Sequence, residues 1–523
     1  MPVNNAYGSW GRHGGCPTNV GMTQMQRRTF LLGGAAGVSA TLLGAKSARA
    51  ASYPFTLGVA SGEPTADGVV LWTRLAPSPL NADGLGGMAD TPVTVEWQVA
   101  EDPSFTRPAT SGTATAVRAS AHTVHVEVAG LRPGREYWYR FRAMGHISQV
   151  GHTRTAPAVG TSPRLTMLFA SCSHWEAGFF TAYRRMAEEH PDVILHLGDY
   201  IYEGAAGSGV RAHQPSAEIS SLANYRVRHA LYKGDVDLQA AHAEAPWLVV
   251  WDDHEVENNY AGLVRADSSP GGDFRARRAA AYQAYYEHMP LRAAQAPVAE
   301  NMRLFRRVRW GSLATFHMLD TRQYRDDQAC GDGTKVCPEA DAPERTITGA
   351  AQEAWLLDGL GQRLGTWDLV GQQVFFAQRL TSAAGAKSMD AWDGYSANRG
   401  RLQRGWVERG NTGPVVLTGD VHRSWANNLM ADYAAQDRVI GTELVTTSIT
   451  SSGDGNASET GLSSLNPHVK FYKNLRGYVR TVTTPTRMDV DFRALDKVTI
   501  RDYPVKTVQS YAIEAGNPGL QTP

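Results

Sequence analysis

The sequence predicts an α/β protein: a layered domain of β-sheets flanked by helices, preceded by a β-sandwich. Three observations carry this. Four short apolar runs each stop at residues that bind hard metal ions. Leu165–Ala170 ends at Ser171-Cys172-Ser173-His174, Val193–Leu197 at Gly198-Asp199-Tyr200-Ile201-Tyr202, Trp247–Trp251 at Asp252-Asp253-His254-Glu255, and Val415–Thr418 at Gly419-Asp420-Val421-His422. Such runs read as strands buried on both faces. Helical patterns alternate with them, over Phe180–His190, Ala279–Glu287 and Ala351–Leu364, which argues for a layered α/β domain with parallel strands. Upstream, Val93–Val99, His122–Val128 and Glu136–Arg142 alternate apolar and polar residues with period two, the pattern of half-buried strands.

At 523 residues the chain is too long for one core and predicts two domains. Basic and acidic residues balance at 51 each, so the charge gives no reason to expect specific nucleic-acid binding or an acidic-membrane partner. Residues 1–51 read as an export leader with an N-terminal extension. Arg27-Arg28 precede a weakly apolar, Gly/Ala-rich stretch, then Lys46, Arg49 and the small-residue site Ala48-Arg49-Ala50. The stretch is shorter than the ~20 residues that span a bilayer, so a removed signal fits better than a stable membrane span. Twin arginines favour the Tat translocon as export partner and a periplasmic or extracellular destination.

Residues 52–157 form the expected sandwich. The turn Gly130-Leu131-Arg132-Pro133-Gly134 before Tyr137-x-Tyr139-x-Phe141 resembles the fibronectin type III arrangement. The proline-rich stretch 156–163 reads as a linker, and 164–510 as the larger domain. Leu313–Leu319 adds a strand, and β pattern returns over Thr447–Gly453, Tyr478–Thr484 and Arg487–Arg493, with a tail at 511–523. Of four cysteines, Cys16 leaves with the leader. Export favours a disulfide between Cys330 and Cys337, and Cys172 is left over. A buried free thiol is the plainer reading of Cys172, but its place at a strand end favours metal ligation.

Ligands gather beyond the carboxyl ends of strands in open α/β sheets, so the four ends suggest one metal centre. Asp199, just past a strand, can bridge two cations. Tyr202 offers a phenolate, a hard anionic oxygen that suits ferric iron. Asp253 is assigned to the second cation and His254 to a phosphate oxygen or the leaving group; a helix N-cap is the alternative use of one of the two aspartates. Asn259 offers an amide oxygen of the kind calcium binds, though a turn asparagine reads nearly as well. Asp420 and His422 lie on alternate residues and point the same way.

Taken together, the leader, the β-domain, Ser-Cys-Ser, Gly-Asp-Tyr-x-Tyr, Trp-Asp-Asp-His-Glu-Val-Glu-Asn-Asn and Gly-Asp-Val-His resemble the PhoD-type alkaline phosphatases. Leu319–Arg325, Trp392–Tyr395 and Ser448–Gly453 add to the match, which runs over the whole mature chain. The pattern is also similar to that of purple acid phosphatases. There, an aspartate stands where this chain has Cys172, an asparagine for Asp253 and a histidine for Asp420. The resemblance implies a metallophosphoesterase-like catalytic fold and Fe3+ and Ca2+, two or three ions in all. Cys172, Asp199, Tyr202 and His422 would hold the iron. Asp199, Asp253 and Asp420 would serve calcium, with Asn259 near a further calcium.

The expected reaction is hydrolysis of small phosphate monoesters, and of diesters, by in-line attack of a metal-bound hydroxide. His254 and Asp199 are the expected catalytic groups. An arginine should clamp the phosphoryl oxygens, with Arg423 and Arg399 as candidates. One rival is a phospholipase D-type phosphodiesterase using the same ions. Another is an exported phosphate- or metal-binding protein without catalysis. Relative rates on bis- and mono-nitrophenyl phosphate separate the first, and any metal-dependent turnover removes the second.

Overall fold

The structure, a computed structural model, describes residues 52–266, 272–457 and 464–523. The leader expected at 1–51 lies outside the described residues. Two large sheets face each other. The first runs in the order Asn517–Gln521, Lys506–Glu514, Arg487–Leu495, Arg476–Thr483, Leu165–Ala170, Val193–Leu197, Pro246–Val250, Val59–Gly62, Val69–Arg74, Thr123–Val128. Its three central site strands are parallel, with Val193 opposite Met167 and Leu197 opposite Val250. The second is seven-stranded and holds Val415–Thr418 between Trp367–Gly371 and Val439–Val445, parallel to both.

Side-chain alternation explains how the sheets stack. Val415, Leu417 and Leu369 face the first sheet in one core, whereas Val416 and Val370 face a second core roofed by the helices Gly349–Gln362 and Ser396–Glu408. On the outer face of the ten-stranded sheet lie the helices Thr181–Glu188, Leu222–Lys233, Val236–Glu244 and Phe274–His288. They fill the same core through Tyr183, Met186, Tyr225, Leu238 and Tyr282. Buried on both faces, the site strands carry apolar residues at nearly every position.

The predicted sandwich is present, and it shares a sheet with its neighbour. Val93–Ala100, Pro108–Ala116, Glu136–Ala143, His146–Ile147 and Gly151–Arg154 make a five-stranded sheet. Its partners Val59–Gly62, Val69–Arg74 and Thr123–Val128 extend the ten-stranded sheet, where Val59–Gly62 runs parallel to Pro246–Val250. Two expectations change. Thr447–Gly453 is a loop, joined to the strand end by the bridge between Ser171 and Ser448, because its backbone is spent on the Cys172 segment. The last residues, expected as a tail, form the hairpin Lys506–Glu514 and Asn517–Gln521. A positive φ of 78° at Gly516 makes that turn possible.

Candidate metal centre

All four strand ends meet in one place, three from the first sheet and Val415–Thr418 from the second. Donor atoms of Cys172, Asp199 and His422 lie within 4.8 Å of one another, and so do those of Asp199, Asp253 and His254. Asp199 belongs to both groups, as a carboxylate bridging two ions requires. Its Oδ1 is buried with no hydrogen-bond partner, while Oδ2 accepts from the Tyr202 hydroxyl at 2.9 Å. Tyr202 also lies 3.2 Å from His422 Nε2.

The backbone is bent to achieve this. Cys172, Asp199, Asn259, Asp420 and His422 all have positive φ, between 53° and 62°, a region that few non-glycine residues adopt. Strain of this kind persists only where the surroundings over-determine it. Here Cys172 N donates to Gly198 O at 3.1 Å and Ser173 N to Asp199 O at 2.8 Å, stitching two ligand turns together. Glu255 ties a third turn to them: it accepts from Asp199 N at 3.1 Å, Tyr200 N at 2.5 Å and Asp252 N at 2.9 Å.

The electrostatics call for cations. Burial first, then the neighbouring Asp253, Asp252 and Glu255 carboxylates, push the Asp199 carboxyl well above the usual range. Burial and Asp199 likewise raise the Cys172 thiol and the Tyr202 phenol, and burial with Asp252 and Asp390 raises Asp420. Burial lowers His422 to about 3, which favours the neutral imidazole. A thiol, a phenol, two carboxyls and a neutral imidazole, held together with an orphaned oxygen, are a donor set that positive ions would complete.

Asp253 accepts backbone N–H bonds from His254 at 3.0 Å and Asn259 at 2.7 Å. Asn259 therefore lies beside the second group, and its amide donates to Asp332 at 2.6 Å. His254 Nδ1 is 2.7 Å from Glu203, whose other oxygen accepts from Asn258 N at 2.7 Å. Burial opposes charge on His254, yet Glu203, Asp253 and Asp199 hold it well above the ordinary histidine range. Arg423 is exposed at the rim next to His422. Arg399 is committed elsewhere, donating to Asp393 at 2.7 Å and to Phe376 O at 3.1 Å.

Sequence reasoning missed several supporting groups. Buried Arg322 donates to Asp252 at 2.5 Å and grips both oxygens of Asp390, at 2.7 and 2.9 Å. Ser451 donates to the Tyr202 hydroxyl at 2.6 Å, and Ser452 Oγ lies 3.0 Å from His422 Nδ1. Arg379, packed over Phe375 and Trp425, feels the charges of Asp420 and Arg423. Glu255 stood inside the Trp251–Asn259 motif, Arg322 inside Leu319–Arg325 and Ser451 and Ser452 inside Ser448–Gly453, while Glu203 directly follows Tyr202; their types were visible and their roles were not. Arg379 comes from a segment whose approach no local pattern announces.

Residues 167–492 match the family described as "PhoD-like phosphatase", and residues 39–157 match its N-terminal domain. Alkaline phosphatase D of Bacillus subtilis (strain 168) is 46% identical over 520 residues, covering 95% of this chain and 88% of that one. A solved structure titled "Structure of PhoD" superposes with a TM-score of 0.87 at 47% identity, over 90% of this chain and 92% of that one. Purple acid phosphatase PPD1 from yellow lupin (Lupinus luteus) seeds shares the fold, with a TM-score of 0.55 at 12% identity over 87% of this chain and 73% of that one.

Proposed function

Because the chain belongs to the PhoD-like phosphatase family and is a metallophosphatase, we propose that it hydrolyses phosphate esters at the centre built around Asp199. One observation carries the placement: Asp199 is common to both clusters of donor atoms. In this reading Cys172, Asp199, Tyr202 and His422 hold ferric iron. Asp199, Asp253 and Asp420 serve calcium, and Asn259 lies near a further calcium. Thiolate, phenolate and imidazole suit the first ion, and all-oxygen donors suit the second. When bound, the ions acidify water and neutralise charge on the phosphoryl oxygens.

The protein's own groups have separate tasks. Glu203 fixes the His254 ring through Nδ1, leaving Nε2 to donate toward a phosphoryl or leaving-group oxygen. Arg423 at the rim is the proposed clamp for the non-bridging oxygens, with Arg379 behind it. Arg322, Glu255 and Ser451 keep the ligand turns in register. Phosphate monoesters, and diesters by the same attack geometry, are the proposed substrates. Export by the Tat route is part of the proposal; the disulfide joining Cys330 and Cys337, with Cα atoms 6.3 Å apart, supports an oxidising destination outside the cytoplasm. Among the described residues no helix is long and apolar enough to cross a membrane.

Elemental analysis and turnover of Asp199→Asn test this reading. The variant should lose both kinds of ion and at least about a thousandfold in kcat. Near-normal turnover, or a full complement of ions, would overturn the bridging role.

A further inference from the structure

Beside the principal centre stands a second set of metal-binding side chains with no part in the reaction above. His174, Glu176 and His213 each offer one donor atom, and the three atoms lie within 4.8 Å of one another. His174 and Glu176 follow the strand end that delivers Cys172, at the short 3-10 turn Trp175–Ala177. His213 comes from the long connection between Val193–Leu197 and Leu222–Lys233. Topology alone brings these two segments together.

We propose that His174, Glu176 and His213 form a separate site for a divalent cation of the zinc class. Two imidazoles and one carboxylate are a donor set for borderline ions, whereas calcium takes oxygens. Three protein ligands leave one tetrahedral position for water. His213 is buried, and its Nδ1 has no hydrogen-bond partner, although it faces Glu176 Oε2 at 3.4 Å. The other ring nitrogen lies 3.0 Å from the Tyr232 hydroxyl, the outer partner that orients a ligating imidazole. Glu176 is aimed in the same way, accepting from Gly207 N at 3.0 Å and from His213 N at 3.2 Å. The Arg228 guanidinium lies nearby. Arg228 itself is spent on backbone carbonyls of Tyr202, Gly204, Gln214, Pro215 and Ala217.

Such an ion ties the 204–213 connection to the floor of the principal centre. The His174 ring stands edge-on to Tyr202 with centroids 4.6 Å apart. Its backbone N–H donates at 3.2 Å to the same Ser451 hydroxyl that reaches Tyr202. Without an ion, the His213 ring is held by the Tyr232 hydroxyl and its Nδ1 stays unpaired.

Full-length protein is incubated with zinc, freed of loose metal and analysed for its elements, alongside His174→Gln, Glu176→Gln and Asp199→Asn. Wild type and Asp199→Asn should each retain one zinc equivalent that His174→Gln and Glu176→Gln lack. Zinc should raise the thermal midpoint of the wild type and leave that of His174→Gln where it was. Equal zinc in wild type and both site variants overturns the proposal. So does loss of that equivalent in Asp199→Asn, which would assign the ion to the principal centre. A variant too unstable to assay leaves the other variant and the midpoint shift to decide.

Discussion

Asp199 shows how much a single residue is asked to do. It carries a positive φ, a buried orphaned oxygen and a carboxyl driven upward by its neighbours, and each of these is costly without a bound cation. Glu203 is the complementary case, since one oxygen meets His254 Nδ1 and the other accepts from Asn258 N. Glu203→Gln keeps the hydrogen bond but removes the charge that favours imidazolium. We expect kcat to fall about 10- to 100-fold on alkyl phosphates and much less on 4-nitrophenyl phosphate, whose leaving group needs no proton. Equal losses on both substrates would assign Glu203 a purely structural role. The metal-binding residue types and the strand ends that carry them were legible at this scale, because a ligand must be a particular kind of atom. Arg322 and Ser451 lay in stretches that carried the family resemblance, but their bracing roles were not legible, because arginine and serine are common in any loop.

At the scale of elements, the site depends on turns that leave the strands at once. Gly198 has a φ of 104°, and a Cβ there would be driven into Asp252. Gly198→Ala should therefore cost about 3 kcal/mol or more, read as a lower denaturant midpoint, and should loosen both the Asp199 and Asp252 turns. An unchanged midpoint would show that the turn adapts. The strands and helices that the sequence predicted in the layered region form close to their expected positions, since hydrophobic period and length both mark them, whereas the helices Leu222–Lys233, Val236–Glu244 and Ser396–Glu408 were not predicted. Thr447–Gly453 departs from prediction for a definite reason. Its β-like composition is overruled because the amides of Ile449, Thr450 and Ser451 bond to Ser171 and Cys172 carbonyls, which puts Ser451 and Ser452 into the site.

For the molecule as a whole, the continuous ten-stranded sheet couples the N-terminal strands to the layers that carry the site. Glu63 and Arg306 form a buried pair across this junction, with Arg306 Nε 2.9 Å from both carboxylate oxygens. His125 lies on the same seam, stacked on Tyr286 and 2.9 Å from Met289 O. Burial lowers His125 to about 4, below the roughly 6.5 of an unfolded histidine. The unfolded chain then takes up a proton that the folded one refuses. Stability from this group is complete above pH ~6.5 and declines as the pH falls toward ~4, by at most roughly 3 kcal/mol before solvent screening. His125→Gln should flatten that part of the stability–pH profile, and an unaltered profile would remove His125 as the cause.

By itself the sequence determined the kinds of atoms available at the site and the strands that end in them, and hence the family and its chemistry. Burial period and ligand chemistry are local properties, written residue by residue. Tertiary structure alone decided that the fourth ligand strand lies in a different sheet, that Arg322, Glu255 and Ser451 brace the turns, and that His174 meets His213. Those are distances between segments far apart in the chain. They are set by how two sheets pack across a shared core, and packing leaves no periodic trace in a linear string.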